Sequence, residues 1–293
     1  MNKRYGWPDR TIDMVIYALL GVLAAAALYP MVYIALASVS DANELISHSG
    51  LLLHSFGFHL DAYRSVFSNR NIMTGYGNTL FILVFGVAVN IVLTTVAAYV
   101  LSRKNVYWNR YFLFFIVLTM FFNGGLIPYY LTVKSVGLLD SLWALIIPTS
   151  VNTFNLIIMR TSFQAIPDSM EESAKMDGAG HFTILLRIIV PLSLPVLAVM
   201  ILYYAVEKWN AWFYASLFLR DRSLFPLQLV LREILIANTT GSMKTGGGMD
   251  DSIQIIETIK YATIIVATLP ILLVYPFLQK YFVKGVMVGA LKG

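Results

Sequence analysis

The sequence predicts an all-α integral membrane protein with about six transmembrane helices, and three observations carry that prediction. The chain of 293 residues is 58% hydrophobic and only 13% charged, with a mean hydropathy of +0.71. A soluble domain is roughly half apolar and one-quarter charged. The apolar residues gather into six blocks, most of them near or above the ~20 residues that a spanning helix needs. The lysines and arginines, finally, fall unevenly between the connecting segments.

Taken in order, the blocks run from Met14 to Ser38, Asn78 to Leu101, Tyr111 to Leu131, Leu142 to Met159, Ile188 to Leu217 and Ala262 to Phe282. The first follows a basic N-terminus, residues 1–13, and is too long for the apolar core of a removed signal peptide, so it reads as an uncleaved first span. The second is uninterrupted. Gly124, Gly125 and Pro128 interrupt the third, and such breaks survive in a membrane only where protein or a water-filled cavity covers the freed backbone groups. The remaining residues, 14–293, form one transmembrane domain, with a polar island over 163–190 and a long outer loop over 220–258.

Orientation follows from the basic residues, which concentrate on the cytoplasmic side. Lys3, Arg4, Arg10, Arg103, Lys104, Arg110, Arg160, Lys175, Arg187, Lys280, Lys284 and Lys292 fall on one side. Arg64, Arg70, Lys134, Arg220, Arg222, Arg232 and Lys244 fall on the other, over much longer connections. Both termini and the polar island are therefore expected in the cytoplasm.

The island, EESAKMDGAGHFTILLRIIVPLSLP from Glu171 to Pro195, holds an unusual share of the acidic residues. Pro167 suits the first turn of a helix, and Ser169 followed by Glu172 fits a capping box. Gly178 can supply a left-handed C-terminal cap. A second helical run, 179–189, leads to Pro191 and Pro195 at the membrane edge. From spacing alone, Glu172 capping a solvated connector explains the island as well as any docking role does.

The chain has no cysteine, which excludes a disulfide framework, a zinc ribbon and a thiol nucleophile. It has no Gly-x-x-x-x-Gly-Lys-Ser/Thr phosphate loop, so it cannot bind ATP in that way itself. His48, His54 and His59 do not form a compact ligand set and read as solvated loop residues. No catalytic, metal or nucleic-acid site is predicted.

Glu172-Ser173-Ala174, Asp177-Gly178-Ala179, Pro191 and Pro195 together resemble the EAA loop of ABC importer permeases. Ser173 stands where the family has an alanine, and Val190 precedes the proline where it has leucine or isoleucine. FFNGGLIPYYL (Phe121 to Leu131), LFPLQLVLREIL (Leu224 to Leu235) and the ending YPFLQKYFVKGVMVGALKG are similar to the class-1 carbohydrate-uptake permeases, in the branch of lipoprotein-operon and pectin-oligosaccharide importers.

The resemblance implies a type I ABC importer permease fold in a bacterial plasma membrane, with a second homologous permease, two ATPase subunits and an extracellular solute-binding protein as partners. It implies that Glu172, Ser173, Ala174, Asp177, Gly178 and Ala179 dock the ATPase, with ATP and magnesium bound on that subunit. It also gives the Thr245 to Asp251 tip of the outer loop a role at the binding protein, and the Gly285-Val-Met-Val-Gly289 stretch a contact with the ATPase dimer.

The fifth block carries the candidate pathway residues Tyr203, Tyr204, Glu207, Lys208, Trp209 and Asn210, with Trp212 nearby. A continuous helix from Pro191 would raise Glu207 roughly 24 Å, towards the outer leaflet. Neighbouring Glu207 and Lys208 do not share a helix face, and ionisable groups within a span are functional candidates. The aromatics suit sugar rings, and they suit an interfacial aromatic belt equally well. A secondary transporter, or a permease for a non-sugar solute, is the alternative to an oligosaccharide importer.

Overall fold

The computed structural model describes residues 7–244 and 258–273, with side chains over 11–236 and 258–273. Every regular element among them is helical. The Thr245 to Asp251 tip, the Gly285 to Gly289 stretch and the end of the sixth block lie outside the described residues.

Among the described residues, two helices are long and apolar enough to cross a bilayer unbroken. Helix α1, Trp7–Val39, begins inside the segment expected as a cytoplasmic N-terminus. Helix α4, Arg70–Ser102, spans 33 residues, which at ~1.5 Å per residue is about 50 Å, well beyond a ~30 Å hydrocarbon core. Two further candidate spans are bent pairs. Helices α5 (Asn109–Phe121) and α6 (Leu126–Ser135) meet at 117°. The break falls where the glycines predict it: Gly125 has φ +90°, and its N–H is held by the Asn123 side chain at 2.9 Å.

The fourth block is not one helix. It forms a 3-10 turn over Leu142–Leu145 and, after Pro148, helix α7 over Thr153–Gln164, capped by Asn152. Twelve residues give about 18 Å, too short to cross alone. The fifth block also departs from expectation. Short helix α9 (His181–Ile184), a π turn (Leu185–Ile189) and α10 (Val190–Leu192) run into α11 (Leu194–Trp209) with an 86° bend. Pro195 lacks an N–H and its ring crowds the carbonyl one turn back, so the helix cannot continue through Ser193. The straight 24 Å rise to Glu207 is thereby ruled out.

Helix α12 covers Trp212–Phe218, a 3-10 turn covers Arg222–Leu224, and α13 covers Leu227–Lys244. The stretch 220–258, expected as a loop, is thus helical through its middle. The sixth block is represented by α14, Thr258–Leu273.

The described residues divide into two units, one from 7–69, 233–244 and 258–269 and one from 70–232 and 270–273. In the first, Ala37, Leu45 and Leu52 form the buried centre, covered by Tyr33, Leu36, Phe56 and Tyr261. Asp41 caps α2 (Ala42–Ser47), and α3 follows over Asp61–Ser68. His48 and His54 each sit edge-on to Phe56, at 5.1 and 5.3 Å between ring centres.

In the second unit α4 is the central element, packed against α7 and α11. Asn78 donates to the carbonyls of Ser223 and Phe225 at 2.8 and 3.1 Å, and the Leu227 N–H donates to Thr79 at 2.8 Å. Gly75 lets the Leu227 backbone approach so closely that a methyl group there would lie 3.1 Å from Leu227 Cα. At the other end Asn109 donates to the carbonyls of Leu101 and Arg103, two of the acceptors that a helix C-terminus leaves open.

Candidate functional site

The polar island folds into helix α8, Asp168–Met176, followed by a glycine turn and α9. Pro167 lies just outside the helix with an extended ψ of 133°, and no side chain caps it. The expected capping box is absent because Ser169 lies inside the helix, its carbonyl receiving the Ser173 hydroxyl at 2.9 Å. The N-terminus is instead favoured by acidic Asp168 and Glu171 in the first turn.

The C-terminus closes as the glycine predicts. Gly178 has φ +78°, its N–H donates to Lys175 at 3.0 Å, and the Ala179 N–H reaches back to Ala174 at 2.9 Å. These paired bonds define a Schellman turn, which satisfies the last carbonyls of α8.

Consecutive glutamates point in opposite directions. Glu171 is buried, bonded to Arg103 and, at 2.9 Å, to Lys175. Burial raises its pKa, but the hydrogen bonds from Lys175 and Arg103 outweigh that and hold it below the ordinary glutamate range. Glu172 is exposed, together with Ser173, Asp177 and Gly178. Met176, one turn beyond Glu172, is 83% exposed, an apolar side chain presented beside an acid. Ala174 and Ala179 face inward against the core that contains Tyr99, Phe163 and Ile184.

The end of α4 grips the island at several points. Arg103 donates to Glu171 and to the Phe163 carbonyl, the latter at 3.3 Å, and its guanidinium lies 5.0 Å from the centre of the Tyr99 ring. Lys104 pairs with Asp168 at 2.6 Å on the exposed side. Tyr99 hydroxyl and His181 Nδ1 are 3.1 Å apart. Glu171 and Arg103 carry no motif signal: they are 68 residues apart, and only helix phase distinguishes Glu171 from Glu172.

The six candidate pathway residues divide as sharply. Tyr204, Lys208 and Trp209 are buried, while Tyr203, Glu207 and Asn210 are exposed. The buried polar groups serve the broken fourth segment. Lys208 Nζ donates to the Leu145 carbonyl at 2.9 Å and to the Thr149 hydroxyl. Tyr204 hydroxyl receives the Asn152 N–H at 3.1 Å and bonds Thr94 at 2.7 Å. Asn90 donates to the Thr149 carbonyl at 3.1 Å. Irregular backbone at membrane depth requires such cover. Gly86 makes room for it, since a methyl group there would meet Lys208 Cε at 3.2 Å.

A multi-pass helical chain with broken spans and a solvent-facing acidic helix held to the end of a span is the architecture of a membrane transport component. Residues 91–288 match the family of binding-protein-dependent transport system inner membrane components, and the chain belongs to that family. It is a permease subunit of an ABC importer, not an enzyme, and the secondary-transporter alternative is set aside.

It is 44% identical over 287 residues to the polygalacturonan/rhamnogalacturonan transport system permease protein YtcP of Bacillus subtilis (strain 168), covering 97% of this chain and 99% of that one. Protein LplC of the same organism is 42% identical over 284 residues, covering 97% and 96%. Among solved structures, a chain of a bacterial ABC transporter involved in the import of the acidic polysaccharide alginate superposes with a TM-score of 0.86. That chain is 35% identical, and the match covers 96% of this chain and all of that one.

Proposed function

We propose that this chain forms half of the translocation pathway of an importer for acidic, uronate-containing oligosaccharides. A second, homologous permease supplies the other half, and an extracellular binding protein delivers the solute. Two ATPase subunits, which carry ATP and magnesium, drive the cycle from the cytoplasm, where both termini lie. The choice of solute is supported by two relatives named for polygalacturonan and alginate transport.

The observation that carries the coupling role is the outward face of α8. Glu172, Ser173, Met176 and Asp177 are exposed there, while Glu171 and Ala174 of the same helix turn inward. An exposed acid beside an apolar tip fits a cleft with a basic group and a hydrophobic wall. Gly178 turns the chain back sharply, and Ala174 and Ala179 keep α8 close against the core. Tyr203, Glu207 and Asn210 form the pathway side of α11, with Tyr204 and Lys208 as its internal supports.

The test is reconstitution with a second permease, the ATPase and the binding protein, followed by measurement of ATP hydrolysis with oligogalacturonate and with a neutral maltodextrin. Stimulation by the acidic sugar, lost in Glu172→Ala although the protein still inserts in the membrane, is the expected result. Stimulation by maltodextrin alone removes the proposed solute. Full stimulation in Glu172→Ala removes the docking role.

A further inference from the structure

Four separate contacts join the polar island to Tyr99 near the end of α4 and to Arg103 and Lys104 just past it, and they bracket α8 on both sides. Phe163, which precedes α8, accepts from Arg103 through its carbonyl. Asp168 and Glu171, in its first turn, bond Lys104 and Arg103. His181, which follows the glycine turn, meets the Tyr99 hydroxyl. The central bond is also the protected one: the side chains of Arg103 and Glu171 are 11% and 9% exposed. Arg103 is itself held by Ser102 Oγ at 3.0 Å and lies against Tyr99.

A planar guanidinium bonded to a carboxylate, a carbonyl and an aromatic face has little freedom to yield. Nearer its middle the same α4 carries Asn90 and Thr94, which join the polar network around the broken fourth segment. Thr94 and Asn90 lie nine and thirteen residues before Arg103, roughly 14 and 20 Å along a helix. Thr94 bonds Tyr204 of α11, and Asn90 bonds the Thr149 carbonyl ahead of α7. One unbroken helix and the residues that directly follow it therefore touch both the exposed island and the intramembrane polar network.

We infer that Arg103 and Glu171 are positioning residues that lock α8 to α4, so that the two move as one body and α4 carries displacement of α8 to the Asn90–Thr94 network. The inference rests on the proposed coupling role of α8. In it Glu172 meets the partner and Glu171 transmits. Loss of the inner glutamate leaves the ATPase bound but disconnects its motion from the pathway.

The charges are exchanged in the full reconstituted complex. Arg103→Glu and Glu171→Arg are measured singly and together for ATPase co-assembly and for solute moved per ATP hydrolysed. Each single change is expected to keep the ATPase attached and to lower the solute-to-ATP ratio roughly tenfold, the scale of one lost charged hydrogen bond. The double exchange restores the ratio. A single variant that assembles with a wild-type ratio overturns the lock, as does a double exchange that assembles without restoring it.

A second arm holds even where the charge variants fail to assemble. The chain has no cysteine, so Arg103→Cys with Glu171→Cys can be tied by a reducible bifunctional thiol reagent in an otherwise cysteine-free complex. Transport that persists when tied supports common motion. Transport lost on tying and regained on reduction overturns it. Wild-type complexes to which no ATPase binds defeat the proposed coupling function itself, and that is measured first.

Discussion

Lys208 Nζ lies 2.9 Å from the Leu145 carbonyl, and the Thr149 hydroxyl donates to that same carbonyl at 3.0 Å. The last acceptor of the 3-10 turn thus has two donors. Lys208→Met preserves the shape of the side chain and leaves Leu145 its second donor, so it is expected to shift stability by less than about 1.5 kcal/mol. Lys208→Glu sets a buried carboxylate against a carbonyl and is expected to cost about 3–5 kcal/mol. Thermal unfolding in detergent measures both. Equal losses in the two variants would show that loss of the lysine's own bond, not the introduced carboxylate, governs this position.

Tyr204 is fully buried, and its hydroxyl bridges Thr94 and the Asn152 N–H. Tyr204→Phe leaves a part-buried backbone donor without its acceptor, which costs about 1–3 kcal/mol. Thr94→Val removes a hydroxyl partner but strands no backbone group, so its cost is smaller. Because the two hydroxyls share one bond, the double variant is expected to be less damaging than the sum, with a coupling of about 0.5 kcal/mol or more. Strict additivity in the melting data would dissolve the network.

Gly178 and Gly180 provide a matched pair in the island. Neither has a heavy atom within 4 Å of where a methyl group would stand, so only backbone conformation separates them. Gly178 has φ +78°, whereas Gly180 has φ −75°. Gly178→Ala is expected to cost about 1–2 kcal/mol and Gly178→Asn less, while Gly180→Ala is near neutral. Hydrogen exchange across residues 168–181 reads the local effect. Equal protection in both alanine variants would contradict the turn.

Much of this architecture is legible in the sequence, and the failures share a physical cause. Unbroken apolar runs give α1 and α4, and Gly124-Gly125 gives the α5–α6 break, because these signals are local. The fourth block reads as a span only because hydropathy averages over Pro148 and Asn152. Its backbone break is stabilised by Asn90, Tyr204 and Lys208, whose partnership is long-range and leaves no pattern. The same limit hides Glu171 behind Glu172. Family resemblance marks the outward glutamate, but the inward one is defined by an arginine far away in the chain. The helix over Leu227–Lys244 escapes notice because its polar end resembles a loop.

The Arg103–Glu171 bond also fixes how the island responds to acid. The folded Glu171 pKa lies below its ordinary value of 4.5, so the folded state holds the carboxylate ionised where the unfolded chain has begun to protonate. The stabilisation is therefore complete above the unfolded value and is lost as pH falls through the lower, folded one. Glu171→Gln removes the ionised partner and is expected to cost about 1.5–3 kcal/mol at neutral pH. The gap between wild type and Glu171→Gln should stay constant from pH 7 to about 5.5, then narrow below the ordinary glutamate range. Thermal unfolding of the two proteins as a function of pH checks this. A gap that closes between pH 6 and 7 would assign the effect to another group.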